Sequence, residues 1–128
     1  MSKYLFLILL LFSLNLFADK EVFISCFDTE SQYVKLVERE TKIHKKDDLK
    51  TIIYFDKSLK KFYLNSNDGF IELKYLGNSN GTFQFLEPTL LGNYIFYSYH
   101  SDHSILTIQK SIGLFSPSMI SIIQKCKL

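Results

Sequence analysis

Residues 67–86 read NDGFIELKYLGNSNGTFQFL, and they contain two strand patterns, each with a turn signal before it. Apolar and charged residues alternate over residues 70–76, and Phe83 and Phe85 alternate with polar neighbours in the second pattern. Alternation with a period of two is typical of a strand with one buried face. Asp68-Gly69 tolerates the positive φ that a tight hairpin turn requires. The stretch therefore predicts two antiparallel strands that follow each other in one sheet.

The same pattern continues on both sides of this stretch. Residues 22–27 and 118–126 also alternate, and turn residues separate several further short apolar runs. Strands at this spacing predict an all-β single domain of about eight strands, either a small β-barrel or a β-sandwich. Residues 32–50 fit this pattern less well. They begin as either a strand or a helix, and the mixed charges of residues 38–50 indicate a solvated loop or helix face.

The chain contains two cysteines, Cys26 and Cys126, one in the first predicted strand and one in the last. Each has the parity of the aliphatic residues in its own strand, so both should face inward. An even number of cysteines in a small exported protein predicts a disulfide. A bond across so long a loop stabilises the fold by roughly 4–5 kcal/mol in the chain-entropy description.

The first 18 residues predict export. Lys3 gives a short basic start, an apolar run follows, and three consecutive charged residues begin at Asp19. This arrangement is typical of a cleaved secretory signal peptide over residues 1–18, with cleavage after Ala18. The alternative is a membrane anchor, but the apolar run is shorter than the roughly 20 residues that a spanning helix needs. We expect residues 19–128 to form one β domain that is periplasmic or secreted, with no membrane span after cleavage.

Composition excludes several classes of protein. Of the 128 residues 47% are apolar and 22% are charged, so the chain is neither disordered nor fibrous. The formal net charge of +2 is too small to indicate nucleic acid or anionic lipid as a partner.

The histidine pair His100 and His103, with Asp102 between them, is the arrangement that most resembles a chemical site. Two imidazoles at this spacing can share a metal ion, and His44 could be a further ligand. A polar hairpin tip explains the same residues, since Ser, Asp and His are common in turns. Ser101, Asp102 and His103 are consecutive, and consecutive side chains in a turn diverge instead of forming a triad. We therefore expect no metal, no cofactor and no enzymatic activity.

Residues 93–99 form an aromatic strand in which neither face is wholly polar. One interpretation places Tyr97 and Tyr99 outward, beside His100 and His103, as a partner-binding surface. The other interpretation is a strand covered on both faces. Large side chains leave little room inside a small barrel, so the interior should be filled. The side chains expected to face inward are Ile71, Leu73, Tyr75, Phe83, Phe85 and Phe96.

The last third of the chain resembles a group of small exported bacterial proteins that end in a disulfide-forming cysteine. The chain departs from their pattern at Gln124, where a glycine is expected. The resemblance implies export and a disulfide, and it implies no catalytic residue. About forty residues are covered, and the matching ones are Phe85-Leu86-Glu87-Pro88-Thr89, Gly92-Asn93, Lys110-Ser111, Leu114-Phe115, Pro117 and Cys126.

A second resemblance concerns the loop between the two strands quoted first. Ser79-Asn80-Gly81-Thr82-Phe83 is similar to the inhibitory loop of the periplasmic inhibitors of c-type lysozyme, which are small disulfide-closed β-barrels. This resemblance implies that Ser79 and Gly81 contact a hydrolase.

Together these observations predict a non-catalytic binding protein of the cell envelope, whose partner is a protein or a small ligand. The alternative is an inhibitor of a secreted hydrolase such as lysozyme.

Overall fold

The computed structural model describes residues 19–35, 39–66, 69–89, 93–112 and 118–127. The predicted signal peptide, residues 1–18, lies outside these ranges. The strands are β1 (Lys20–Lys35), β2 (Glu40–Asp47), β3 (Thr51–Asp56), β4 (Lys61–Ser66), β5 (Gly69–Ser79), β6 (Thr82–Pro88), β7 (Tyr94–His100), β8 (Ile105–Ile112) and β9 (Ser118–Lys127).

The sheet closes on itself, which confirms an all-β fold and decides between the two predicted architectures in favour of the barrel. From β3 to β9 each strand pairs antiparallel with the next, and β1 pairs with both β3 and β9. These eight strands form the closed ring, and β2 adds a ninth strand beside β1. Closure removes free edges from the eight-stranded ring itself, whereas β2 pairs only with β1 among the described residues and is an edge strand. Within the described ranges, no helix is long and apolar enough to cross a membrane.

Residues 32–35 continue β1 as a strand, one of the two predicted conformations, but residues 40–47 form β2 and not the solvated loop or helix face predicted for residues 38–50. Strand β1 continues to Lys35, and after a short connection β2 returns beside it, pairing from Lys35↔Glu40 to Thr29↔Asp47. Strand β3 then pairs with the first half of β1, up to Cys26↔Thr51. Tertiary pairing with β1 therefore decides the conformation of β2, whose charged sequence alone does not predict a strand.

The core lies inside the ring and contains the predicted disulfide. Cys26 and Cys126 are directly opposite each other in the β1–β9 ladder and are bonded. Cys26 is fully buried, as are Ile24 on the same strand and Ile53 across from it. The remaining buried apolar residues are Phe62, Leu73, Phe85, Tyr97, Tyr99, Leu106 and Ile108. The first and last ring strands are thus joined both by hydrogen bonds and by a covalent bond.

The interior contains buried large side chains as predicted, but Tyr75 is 43% exposed and the orientation assigned to β7 is wrong. Tyr97 and Tyr99 are buried, at 4% and 3% exposure, whereas Phe96 is 38% exposed. The register explains the inversion, because Phe85 is opposite Tyr97 and is itself fully buried. Side chains opposite each other in a ladder share a face of the sheet. Tyr97 and Tyr99 therefore belong to the core, and Phe96 faces outward.

The turns alternate between the two ends of the barrel because consecutive strands are antiparallel. The β3–β4, β5–β6 and β7–β8 turns lie at one end, together with the end of β9. We call this end the turn end. It carries Ser79, Gly81, His100 and His103, which are the candidate site residues predicted from the sequence apart from the disulfide and the two tyrosines.

Candidate functional site at the turn end

Two turns that are separate in sequence contact each other at the turn end. The carbonyl oxygen of Gly81, in the β5–β6 turn, accepts two hydrogen bonds from Ser101, in the β7–β8 turn. The Ser101 N–H donates one at 2.9 Å, and its hydroxyl donates the other at 2.7 Å. At the adjacent ladder position, Thr82 Oγ1 lies 3.3 Å from His100 Nδ1. The structure therefore brings together the predicted inhibitory loop and the predicted histidine tip.

The β5–β6 turn depends on residues that tolerate a positive φ. Asn80 has φ of 52° and Gly81 has φ of 82°, the left-handed region that asparagine and glycine adopt most readily. A Cβ atom on Gly81 would lie 3.0 Å from Ser101 Oγ and 3.4 Å from both carboxylate oxygens of Asp102. Glycine is thus required both for the backbone conformation and for the close approach of the second turn.

The β7–β8 turn is also tied to the disulfide-bonded strand. The His100 carbonyl accepts the His103 N–H at 3.2 Å, which closes the turn. The Ser104 carbonyl then accepts the N–H of Cys126 at 2.8 Å. Because Cys126 is bonded to Cys26, this hydrogen bond connects the turn to the disulfide that joins β1 and β9.

The two turns present an exposed polar surface, which we call the turn surface: residues 79–81 and residues 100–103. Ser79, Asn80, Asp102 and His103 are exposed, whereas His100 is half-buried against Thr82. The exposed groups include hydroxyl and amide groups, a carboxylate and an imidazole, so the surface can both donate and accept hydrogen bonds. Such a surface is suited to recognition of a polar partner.

Aromatic rings lie in the core beneath the turn surface. Phe83 packs on Tyr99 with ring centroids 6.1 Å apart, and Phe23 packs edge-on to Phe83 and Tyr99 at 5.3 and 6.0 Å. Pairs at these separations contribute beyond the area that they bury. Tyr99 therefore supports the turn surface from inside and is not part of it.

The histidines do not form a metal centre within the described residues. No group of three or more His, Cys, Asp or Glu side chains in those ranges is arranged to hold a metal ion. His44 lies in β2, and its side chain is outside the described part of the structure. Ser101, whose hydroxyl bonds to Gly81, is not hydrogen-bonded to the side chain of Asp102 or His103.

Two buried polar clusters were not predicted from the sequence. Tyr97 donates a 2.6 Å hydrogen bond to buried Glu87, and Gln124 donates to Thr29 and Leu49 across the β1–β9 junction. A signal for both was present, since Glu87 has the parity of Phe85 and Gln124 has the parity of Cys126. Because polar side chains usually face solvent, the alternation does not by itself predict that these two residues are buried.

Comparison with known proteins adds no assignment: no family model, no curated protein and no solved structure matches the chain. A function for the turn surface must therefore be argued from its own geometry.

Proposed function

We propose that the protein is an exported, non-catalytic binding protein of the cell envelope that contacts its partner through the turn surface. The observation that carries this proposal is the pair of hydrogen bonds from Ser101 to the Gly81 carbonyl. They join two loops of different hairpins into one unit. A surface that is ordered before binding loses less conformational entropy when the partner docks.

The filled interior supports a surface site over an internal one. Phe85, Ile24 and Leu106 are fully buried inside the barrel, in the space that a ligand-carrying barrel would use for its cavity. The disulfide supports export, since such bonds persist in oxidising compartments such as the periplasm or the medium. The partner is a protein or a small polar ligand, and no cofactor or nucleic acid is required.

A capture experiment with envelope extracts tests this proposal. The test variant is Asp102→Ala with His103→Ala, two exposed side chains that make no hydrogen bond within the described residues. The matched control is Gln109→Ala with Ser111→Ala on the exposed face of β8. We expect the test variant to retain the partner at least about tenfold less well than wild type and control, as for central contact residues. Equal retention by all three proteins would contradict the proposal that the turn surface contacts the partner.

The second candidate function, inhibition of a secreted hydrolase, is favoured by one specific feature. Ser79 and Asn80 are exposed on the β5–β6 turn, and the Ser101 hydroxyl holds this turn in place by its hydrogen bond to the Gly81 carbonyl. A rigid exposed loop of this kind can enter an active-site cleft with little loss of conformational entropy.

An inhibition assay against c-type lysozyme distinguishes this candidate from the first. Gly81→Ala would crowd Ser101 Oγ at 3.0 Å, whereas Gly77→Ala is also strained by its positive φ of 125° but has no atom within 4 Å of the new Cβ. An inhibitor should lose activity with Gly81→Ala and with Ser79→Ala, and should keep it with Gly77→Ala. Absence of inhibition by excess wild-type protein would eliminate the hydrolase candidate.

A further inference from the structure

A gap in the β-ladder forms a groove on the outer surface of the barrel, lined by residues that do not belong to the turn surface. The β1–β3 ladder ends at Cys26↔Thr51, and the β1–β2 ladder begins at Thr29↔Asp47. Residues 27–28 of β1 and the connection 48–50 lie between the two ladders. Phe27 and Asp28 have no ladder partner in β2 or β3.

The groove has a volume of about 640 Å³, within the usual range for sites that hold small ligands. It has an aromatic side chain and charged groups of both signs. The described residues that line it are Ser25, Phe27, Asp28, Asp48, Lys50 and Lys127.

None of the charged side chains that line the groove forms an ion pair within the described residues. Asp28, Asp48 and Lys50 are exposed and take part in no ion pair within the described residues. The Lys127 ammonium lies 5.1 Å from the centre of the Phe27 ring, so it stands over the ring and not beside a carboxylate. Among the described residues, two carboxylates and two ammonium groups therefore line the groove without forming an ion pair with one another.

The wall of the groove is held in place by a buried hydrogen-bond cluster. The Leu49 carbonyl accepts from the Thr29 hydroxyl at 2.6 Å and from Gln124 Nε2 at 3.3 Å. Gln124 Nε2 also donates to Thr29 Oγ1 at 2.8 Å. Because Thr29 and Gln124 are buried, these bonds fix the backbone between Asp48 and Lys50 relative to β1 and β9.

We propose that this groove binds a short peptide with free termini, a zwitterion of two or three residues. On the side of the 48–50 connection, Asp48 together with Asp28 would take the terminal ammonium, and Lys127, on the other side of β1, would take the terminal carboxylate. Lys127 pairs with one side of β1 and the 48–50 connection lies on the other, so the groove is roughly 10 Å wide at ordinary strand spacing. Two or three extended residues span about 7–10 Å. The Phe27 ring gives an apolar side chain of the peptide a surface to pack on.

This inference is independent of the proposed function, because the groove and the turn surface share no residue. A result that contradicts peptide binding in the groove would not contradict partner binding at the turn surface, and the reverse also holds.

Titration of the isotopically labelled, disulfide-bonded protein with glycyl-phenylalanine, followed by NMR, tests the inference. The N-acetylated and C-amidated forms of the same dipeptide each lack one terminal charge. We expect the free dipeptide to shift the amides of residues 25–28 and 48–50, and each blocked form to bind about tenfold more weakly, the effect of losing a charged hydrogen-bond pair.

The matched variants are Asp28→Asn with Asp48→Asn, Lys127→Gln, and Lys61→Gln as a control. Lys61 is an exposed lysine on β4 whose partner is Glu72, outside the groove. The first two should weaken binding of the free dipeptide severalfold without changing the thermal midpoint, and the control should not weaken it. Equal binding of free and blocked dipeptides, or no shift of the groove amides at millimolar concentration, would overturn the inference.

Discussion

Tyr97 makes a short, buried hydrogen bond to the side chain of Glu87 inside the barrel. Its hydroxyl donates to Oε1 of Glu87 at 2.6 Å, and both residues are buried. Burial raises the pKa of Tyr97 well above its ordinary value of 10.0, and the hydrogen bond to Glu87 raises it further. The neutral hydroxyl is therefore part of the folded state, because it satisfies a carboxylate that would otherwise be buried without a donor.

Tyr97→Phe should lower the free energy of unfolding by about 1–3 kcal/mol, because Glu87 loses its donor. Tyr99→Phe is the control, since Tyr99 is equally buried and has no side-chain hydrogen bond within the described residues. Urea unfolding at neutral pH measures both. Equal effects of the two substitutions would show that the Glu87 contact is not stabilising.

The same tyrosine gives a pH dependence with a definite sign. The unfolded chain ionises near pH 10.0 and the folded chain only at higher pH, so the unfolded state loses this proton first. Stability from Tyr97 is complete below pH 10.0 and is lost as pH rises above it. Between pH 9 and pH 11, roughly centred on the ordinary tyrosine pKa, wild type should lose more stability than Tyr97→Phe.

The alternating pattern of β7 predicted which of its side chains share a face, but not which face is inside. Tyr94 and Phe96 on one face are as apolar as Tyr97 and Tyr99 on the other. The distinction comes from the partners across the ladders, Phe85 on β6 and Ile108 on β8, which are buried. Register between strands is set by the whole sheet, so a single strand pattern does not contain it.

At the scale of elements, the junction between β2 and β3 shows how one buried cluster shapes a strand. Thr29, Gln124 and the Leu49 carbonyl are hydrogen-bonded to one another at the point where β1 changes partner from β3 to β2. Gln124 is 1% exposed, and its Oε1 accepts no hydrogen bond within the described residues. The hydrogen bonds of the cluster therefore offset part of the cost of burying its polar groups. They also fix the position at which β1 changes partner from β3 to β2.

Thr29→Val should destabilise the junction between β2 and β3. The substitution removes the donor to Leu49 and the acceptor for Gln124, and we expect a loss of about 1–3 kcal/mol. Hydrogen exchange should accelerate in β2 and in residues 48–50 more than in β6 and β7. Thr107→Val is the matched control, because Thr107 donates only a long 3.4 Å bond to the Ser98 carbonyl. Uniform acceleration in all strands would contradict a local role for the cluster.

Strand β2 could not be predicted because its sequence has few features of a strand. Most of its residues are charged or polar, and its single aliphatic residue, Ile43, sets no alternation. Its position depends on pairing with the second half of β1. By contrast, β5 and β6 have clean alternation and a turn between them, and the structure places them where the sequence does.

At the scale of the whole molecule, the disulfide joins the two strands that complete the ring. Cys26 and Cys126 are 100 residues apart in sequence, and their strands pair over most of β9. The sequence predicted this bond because two inward-facing cysteines allow one pairing. It could not decide between barrel and sandwich, since both architectures accept the same strands and the same bond.

Reduction of the disulfide should lower the free energy of unfolding by about 4–5 kcal/mol, mainly through the unfolded state. Urea unfolding of the oxidised and reduced wild-type protein measures this difference. Cys26→Ser with Cys126→Ser should match the reduced protein closely. A difference below about 1 kcal/mol would show that β1–β9 pairing, and not the covalent bond, is what keeps the ring closed.

We propose that the barrel presents the two joined turns of the turn surface to a partner. Site-specific photocrosslinking in intact cells tests it most directly, with the photoreactive residue placed at His103, and at Gln109 on β8 for comparison. Both positions are exposed, so either substitution should leave the fold unchanged. We predict a discrete crosslinked product from position 103 and none from position 109. The same product from both positions, or a product from position 109 alone, would contradict the claim.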